Sequence, residues 1–188
     1  MSETAVPVTV AVERLQSFAG TDLEDLCVAT EASIAEGGGF GWVNKPRRDL
    51  LEKYWSGVLL VPERALFVGR LDGVVVGSAQ LVRPPRNNEA QAFSAHLTSA
   101  FVAPWARGYG LARGLVAAVE QHARQAGIEL LNCDIRETQA AAIQLYESCG
   151  YVRWGTHPAY AKVDGRIIAG FYYMKRLTPE ADAEAARR

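Results

Sequence analysis

The chain predicts an α+β domain of seven strands and four helices, and three features carry that expectation. Two glycine turns, Asp72-Gly73 and Asp164-Gly165, each divide a pair of strand-forming segments, as antiparallel hairpins require. Two helical patterns have readable ends: Thr21-Asp22-Leu23-Glu24 is a capping box, and Gly127 stops a pattern running from Ala106 to Ala126. The third feature is a junction. Phe93 to Val102 alternates as a strand and feeds the glycine-rich turn Arg107-Gly108-Tyr109-Gly110, which opens that long helix.

In chain order, Val6 to Val12 alternates as a first strand. The helix begun at Thr21 carries Leu23, Leu26, Cys27 and Ile34 on one stripe, with Thr30 among them needing a hydroxyl partner, and it breaks at Gly37 to Trp42. Pro46 suits the first turn of a second helix reaching about Trp55. Leu66 to Leu71 and Val74 to Leu81 are the strands around Asp72-Gly73, and Arg83 to Asn88 loops on to the long fourth strand. Leu111, Leu115, Val119 and Ala123 form the stripe of the third helix. Leu130 to Ile135 reads as a short buried strand and Gln139 to Cys149 as a fourth helix. Tyr151 to His157 and Gly170 to Leu177 form a final antiparallel pair. No repeat or linker divides the chain, so residues 1–177 are expected to form one domain. Residues 178–188, rich in alanine and charge, read as a flexible tail.

Composition narrows the class. Hydrophobic residues make up 49% and charged ones 22%, ordinary for a globular protein with room for one core. A net charge of −1 leaves no electrostatic footprint for nucleic acid or an anionic membrane. Met1-Ser2-Glu3-Thr4 lacks the basic-then-apolar order of a signal peptide, and no apolar run approaches ~20 residues. Cys27, Cys133 and Cys149 show no metal spacing and read as reduced thiols, so a cytoplasmic protein without a metal is expected. His122 sits in polar company and is expected to be solvated.

A strand, a glycine turn and a helix in succession make a phosphate cradle. Glycines let successive N–H groups converge, the helix N-terminus adds partial positive charge, and Arg107 adds a cation. A P-loop is excluded, because no Gly-Lys pair exists in the chain. A dinucleotide fingerprint fails too: Gly108, Gly110 and Gly114 give G-x-G-x-x-x-G, one residue too long. A nucleotide-dependent oxidoreductase is thereby disfavoured. The arrangement that fits is Arg/Gln-x-x-Gly-x-Gly/Ala, with Arg107, Gly110 and Ala112 at the right offsets after Val102-x-Pro104. This resembles the pyrophosphate loop of the GNAT superfamily of acyl-CoA-dependent N-acetyltransferases. Gln139 to Tyr151 is similar to that superfamily's Asn-x-x-Ala-x-x-Leu-Tyr-x-x-x-Gly-Phe block, with Gln139 where asparagine is usual. Gly38-Gly39-Phe40-Gly41, Ser78 to Leu81 and Gly155 to Arg166 look most similar to the bacterial branch of tabtoxin-resistance-type acetyltransferases. The block Tyr146 to Tyr151 also looks like acetyltransferases of ribosomal-protein N-termini.

The resemblance implies a GNAT fold, with a mixed, largely antiparallel seven-stranded sheet whose fourth and fifth strands splay apart. It implies acetyl-CoA as cosubstrate, with the pyrophosphate held by Arg107, Gly108, Tyr109, Gly110, Leu111, Ala112 and Arg113. Pantetheine would be met by Ala100, Phe101 and Val102, and by Gln139. Tyr146, on the CoA side, would be the general acid for the departing thiolate. Asp134, near the end of the fifth strand, is the first candidate for general base, ahead of His96, Glu89 and Glu137. The acceptor amine would meet Phe40 and Trp42 on a glycine-rich lid, and His96, His157 and Tyr160 on the other side. The expected activity is acetyl transfer by direct attack to a primary amine of a small metabolite or amino-acid-like antibiotic. A peptide N-terminus, or a non-catalytic acyl-CoA sensor, is the alternative, and a homodimer is left open.

Overall fold

The computed structural model describes residues 7–38 and 41–177. The expected tail 178–188, Val6 at the start of the expected first strand, and Gly39 and Phe40 lie outside them. The strands are β1 (Val10–Leu15), β2 (Arg64–Leu71), β3 (Val74–Val82), β4 (Ser94–Val102), β5 (Leu130–Arg136), β6 (Val152–Val163) and β7 (Arg166–Arg176). The α-helices are α1 (Asp22–Ala35), α2 (Arg48–Leu60), α3 (Leu111–Gln125) and α4 (Ala140–Ser148). One sheet runs β1-β2-β3-β4-β5-β7-β6, antiparallel at every junction except the parallel β4–β5 pair. It is the mixed, mostly antiparallel α+β sheet that the sequence predicts.

Alternation along β2 sorts the core onto two faces. Phe67 packs with Leu115, Val119, Leu131 and Tyr146 beneath α3 and α4. Its neighbours Leu66 and Val68 pack on the other side with Leu26, Leu51 and Trp55 of α1 and α2. Thr30, fully buried on α1, donates to the Leu26 carbonyl at 2.6 Å and accepts from Trp55 Nε1 at 3.1 Å, so its hydroxyl is satisfied. Both hairpin turns have two successive residues at positive φ: Asp72 (50°) with Gly73 (85°), and Asp164 (49°) with Gly165 (78°).

Several boundaries differ from expectation. β1 begins at Val10 rather than Val6, because its register is set by pairing from Val10↔Leu71 to Leu15↔Leu66. The capping box does not form. Thr21 Oγ1 donates to Asp25 at 2.9 Å, while Asp22 accepts the Ala19 N–H at 3.1 Å. α2 starts at Arg48, two residues past Pro46, and runs on to Leu60. α3 starts at Leu111 rather than Ala106: Pro104–Ala106 is a separate 3₁₀ turn, and Gly108 and Gly110 take left-handed backbone before the helix. The last two strands are much longer than expected. A register shift between His157 and Ala161 sets Pro158, Ala159 and Tyr160 opposite Ala169 alone. β6 is an edge strand, where Pro158 displaces no interior ladder bond. His122 is half-buried, with its ring edge-on to Phe67 at 5.6 Å, and burial lowers its pKa.

Candidate active site

β4 and β5 share only three register pairs, Ser94↔Leu130, Ala95↔Leu131 and His96↔Asn132, and then part. The cause lies in β4. Its register against β3 slips between Ser78 and Gln80, and Ser99 adopts φ +51°, a bulge that turns the strand away from β5. Ser78 Oγ donates to the Ser99 carbonyl at 3.0 Å, replacing a ladder bond that the bulge removes. The parted strands enclose a cleft of about 630 Å³. Thr98, Ser99 and Ala100 form one wall and Asp134, Ile135 and Arg136 the other. Tyr146 and Gln139 enter from α4, Gly41 and Val43 from the loop after α1, and Tyr160 to Val163 from β6.

Further along the chain from β4, directly before α3, lies the glycine turn. Gly108 (φ +89°) and Gly110 (φ +79°) both hold backbone that other residues resist, and a Cβ on either would meet nothing within 4 Å. The space in front of the turn is therefore open, and α3 begins directly behind it. These are the features a pyrophosphate needs. The Arg107 guanidinium is held by Glu36, at the end of α1, at 2.7 Å. Arg113 turns to α4, donating to Ser148 Oγ at 2.7 Å and to Cys149 Sγ at 3.5 Å. Tyr109 is exposed, Leu111 is buried and Ala112 packs against the core, so the last two offer backbone rather than side chain. Ala100 lines the cleft, whereas Phe101 and Val102 put their side chains into the core. Gln139 Nε2 donates to the Gly37 carbonyl at 2.8 Å, tying α4 to the loop after α1.

Asp134 is exposed on β5 and accepts a hydrogen bond from the Tyr160 hydroxyl. Tyr160 reaches it because its ring lies flat over Gly170, where a Cβ would come within 2.2 Å of the ring. Burial, then the bond to Asp134, pushes the Tyr160 pKa well up. Tyr146 is buried and stands edge-on to Tyr151 at 5.1 Å. Burial raises its pKa well above the usual tyrosine value, with Cys133, Cys149 and Asp134 adding to the effect, so it stays protonated at neutral pH. Cys133 also lines the cleft, and burial pushes its thiol far up.

The remaining candidates are placed elsewhere. His96 is exposed on the paired part of β4, opposite Asn132. His157 accepts the Ala159 N–H on Nδ1 at 3.1 Å and shapes the β6 bulge. Glu137 accepts the Ala169 N–H at 3.0 Å, and Glu89 lies in an exposed 3₁₀ turn. Trp42 packs edge-on against Tyr54 at 4.9 Å, while its neighbours Gly41 and Val43 face the cleft. Phe40 is outside the described residues. Among the described residues, no group of three or more His, Cys, Asp or Glu could hold a metal ion. No helix among them is long and apolar enough to cross a membrane.

Some cleft residues leave no trace in local pattern. Ser99 looks like any strand serine, and the meeting of Tyr160 with Asp134 depends on a glycine in another strand. Arg136 and Lys162, which also line the cleft, carried only their charge as a signal.

A glycine turn opening a helix after β4, and a cleft between parted strands that holds a protonated tyrosine and a carboxylate, are the features the sequence resemblance leads one to expect of an acyl-CoA-dependent transferase. Residues 30–151 match the model of the acetyltransferase (GNAT) family, and the chain belongs to that family. It is 62% identical over 130 residues to an uncharacterised N-acetyltransferase of the hisH–hisA intergenic region of Azospirillum brasilense, covering 69% of this chain and 77% of that protein. Its fold is similar to that of a Staphylococcus aureus N-acetyltransferase, with a TM-score of 0.77 at 19% identity over 90% of this chain and 99% of the other. It is also similar to a Salmonella typhimurium protein assigned as an acetyltransferase and solved with its cofactor acetyl-CoA. That match has a TM-score of 0.70 at 20% identity and covers 90% and 95% of the two chains. The protein is an acyltransferase that uses acetyl-CoA.

Proposed function

We propose that the protein transfers the acetyl group of acetyl-CoA to the primary amine of a small, amino-acid-like molecule by direct attack, as in the tabtoxin-resistance-type branch. The observation that carries this reading is that Asp134, Arg136 and Lys162 line one cleft together with Tyr146. A carboxylate suits an ammonium group, and two cations nearby suit an anionic group on the same acceptor. A volume of about 630 Å³ is in the range of small-molecule sites.

Acetyl-CoA supplies the activated acyl thioester. Arg107 and the N–H groups from Gly108 to Ala112 would bind its pyrophosphate, with Arg107 exchanging Glu36 for phosphate. Asp134, oriented by the Tyr160 hydroxyl, takes the proton of the acceptor ammonium directly or through water. Tyr146, neutral at physiological pH, gives its proton to the departing thiolate. Direct attack is supported by Cys133. It is the sulfur in the cleft wall, and its raised pKa leaves no thiolate to carry an acyl group.

The test is a panel of amines with acetyl-CoA, read by thiol release. Amino-acid-like amines should turn over with a lower KM than the same amines lacking the carboxylate. Preference for peptide N-termini would overturn the acceptor class. Tight acetyl-CoA binding without turnover of any amine would make the protein a sensor.

A further inference from the structure

Gln80 is fully buried on β3, yet its amide is engaged at both ends. Arg64 Nη1 donates to Gln80 Oε1 at 2.7 Å. A guanidinium can only donate, so this contact fixes which end of the amide faces it. Gln80 Nε2 must then point the other way, and it donates to the Tyr54 hydroxyl at 3.2 Å. The Tyr54 and Ser99 hydroxyl oxygens lie 3.4 Å apart, a contact in which either can donate, and with Gln80 as its donor Tyr54 is able to give its proton to Ser99. Ser99 lines the cleft, and in that arrangement it receives a hydrogen bond and keeps its own proton to give. Three hydrogen bonds link a half-buried cation on β2 to the cleft wall on β4. Burying a glutamine this deeply is unfavourable unless every amide group is matched, and holding a serine at φ +51° is strained. Both features converge on Ser99.

We propose that Ser99 is a catalytic residue whose hydroxyl donates to the carbonyl oxygen of the acyl group. Tyr54, Gln80 and Arg64 are positioning residues that act through it. The two walls of the cleft divide the work by chemistry. Asp134 accepts hydrogen bonds and belongs with the amine. Ser99 donates and belongs with the oxygen that gains negative charge as the amine attacks. A donor fixed before the reaction stabilises that charge without reorganising during it. This assignment rests on the cleft being the site of acetyl transfer.

The experiment compares Ser99→Ala, Tyr54→Phe and the double variant, with Ser99→Gly as a second deletion that also relieves the positive φ. Ser99→Ala and Ser99→Gly should each lower kcat by about 10²-fold. Tyr54→Phe should lower it about fivefold in the wild-type background and not at all when Ser99 is alanine. Infrared difference spectra of bound acetyl-CoA give a readout apart from turnover. The thioester carbonyl band should lie at higher frequency in both Ser99 variants than in the wild type, with the affinity for CoA itself unchanged. An identical carbonyl band in wild type and both Ser99 variants would overturn the assignment, as would an equal effect of Tyr54→Phe in both backgrounds. If the wild type acetylates an amine while these results fail, only the role of Ser99 falls. If it binds acetyl-CoA and acetylates nothing, the functional reading falls, and the carbonyl band still reports on Ser99.

Discussion

Gly170→Ala is the smallest change that should disable the acceptor side without touching it. A Cβ at Gly170 would lie 2.2 Å from Tyr160 Cγ and 2.6 Å from both Cδ atoms. Ordinary contact begins at 3.4 Å, so the ring must retreat by about 1.2 Å. The backbone cannot yield instead, because Gly170 is paired to Arg136 on one side and His157 on the other. Tyr160 therefore leaves Asp134, and a displacement of about an ångström at a positioning group can lower the rate roughly 10²-fold. The assay is kcat/KM for the acceptor by thiol release, beside calorimetry with CoA and a thermal melt. The expected result is a loss on the order of 10²-fold with CoA affinity intact. In a Tyr160→Ala background the added methyl meets no ring and should cost nothing further. A Gly170→Ala protein with normal kcat/KM and normal Tm would refute this reasoning, and so would an equal loss in both backgrounds.

Gly110→Asp should abolish CoA binding by calorimetry, since it forces an L-residue to φ +79° and puts a negative charge at the phosphate site. Tyr146→Phe should leave CoA affinity nearly unchanged and lower kcat by ~10²-fold on a true acceptor; an unchanged kcat would return Tyr146 to packing. Asp22 is buried and accepts from Arg70 Nη1 at 2.7 Å, a bond that holds its pKa below the usual carboxylate value despite burial. A lowered folded pKa gives stability that is present above the unfolded value near ~3.9 and lost as pH falls through the folded one. Asp22→Asn should therefore cost about 2 kcal/mol in urea melts at pH 7, and the gap should close as the pH falls below the unfolded carboxylate value and through the lower folded one. A gap that stays constant from pH 7 to pH 2 would contradict the assignment.

What the sequence makes legible is whatever sits within a few neighbouring residues. The Asp72-Gly73 and Asp164-Gly165 turns, the stripe from Leu111 to Ala123 and the glycine turn before it are all local, and the fold follows them. Boundaries moved where a partner decides them: β1 starts where Leu71 ends its pairing, and α3 waits for Gly110 to release the left-handed turn. The site divides in the same way. Arg107, Gly110, Asp134 and Tyr146 declare their type and place in the chain. Side-chain partnerships do not, because Glu36 beside Arg107 and Gly37 beside Gln139 come together only through the packing of remote elements. Ser99 was hidden for another reason. A bulge needs no special residue, so strand alternation passes over it.

The brief parallel seam between β4 and β5 has a further consequence. An unpaired strand edge on the outside of a protein is a template on which other chains assemble, and proteins commonly shield it. Here the strands separate past His96 and Asn132 with their edges turned toward each other, so two such templates face inward across one gap. Lining a cleft, these two edges are shielded from the strand of a neighbouring sheet. The template remains effective for a guest that fits lengthwise and carries amide donors and acceptors of its own. Such a guest would stand in for a missing strand and join two half-sheets that otherwise meet over three residue pairs. Occupancy should then be felt as cohesion across the whole sheet, with amide exchange slowing along β5 and β7 as well as at the contact itself.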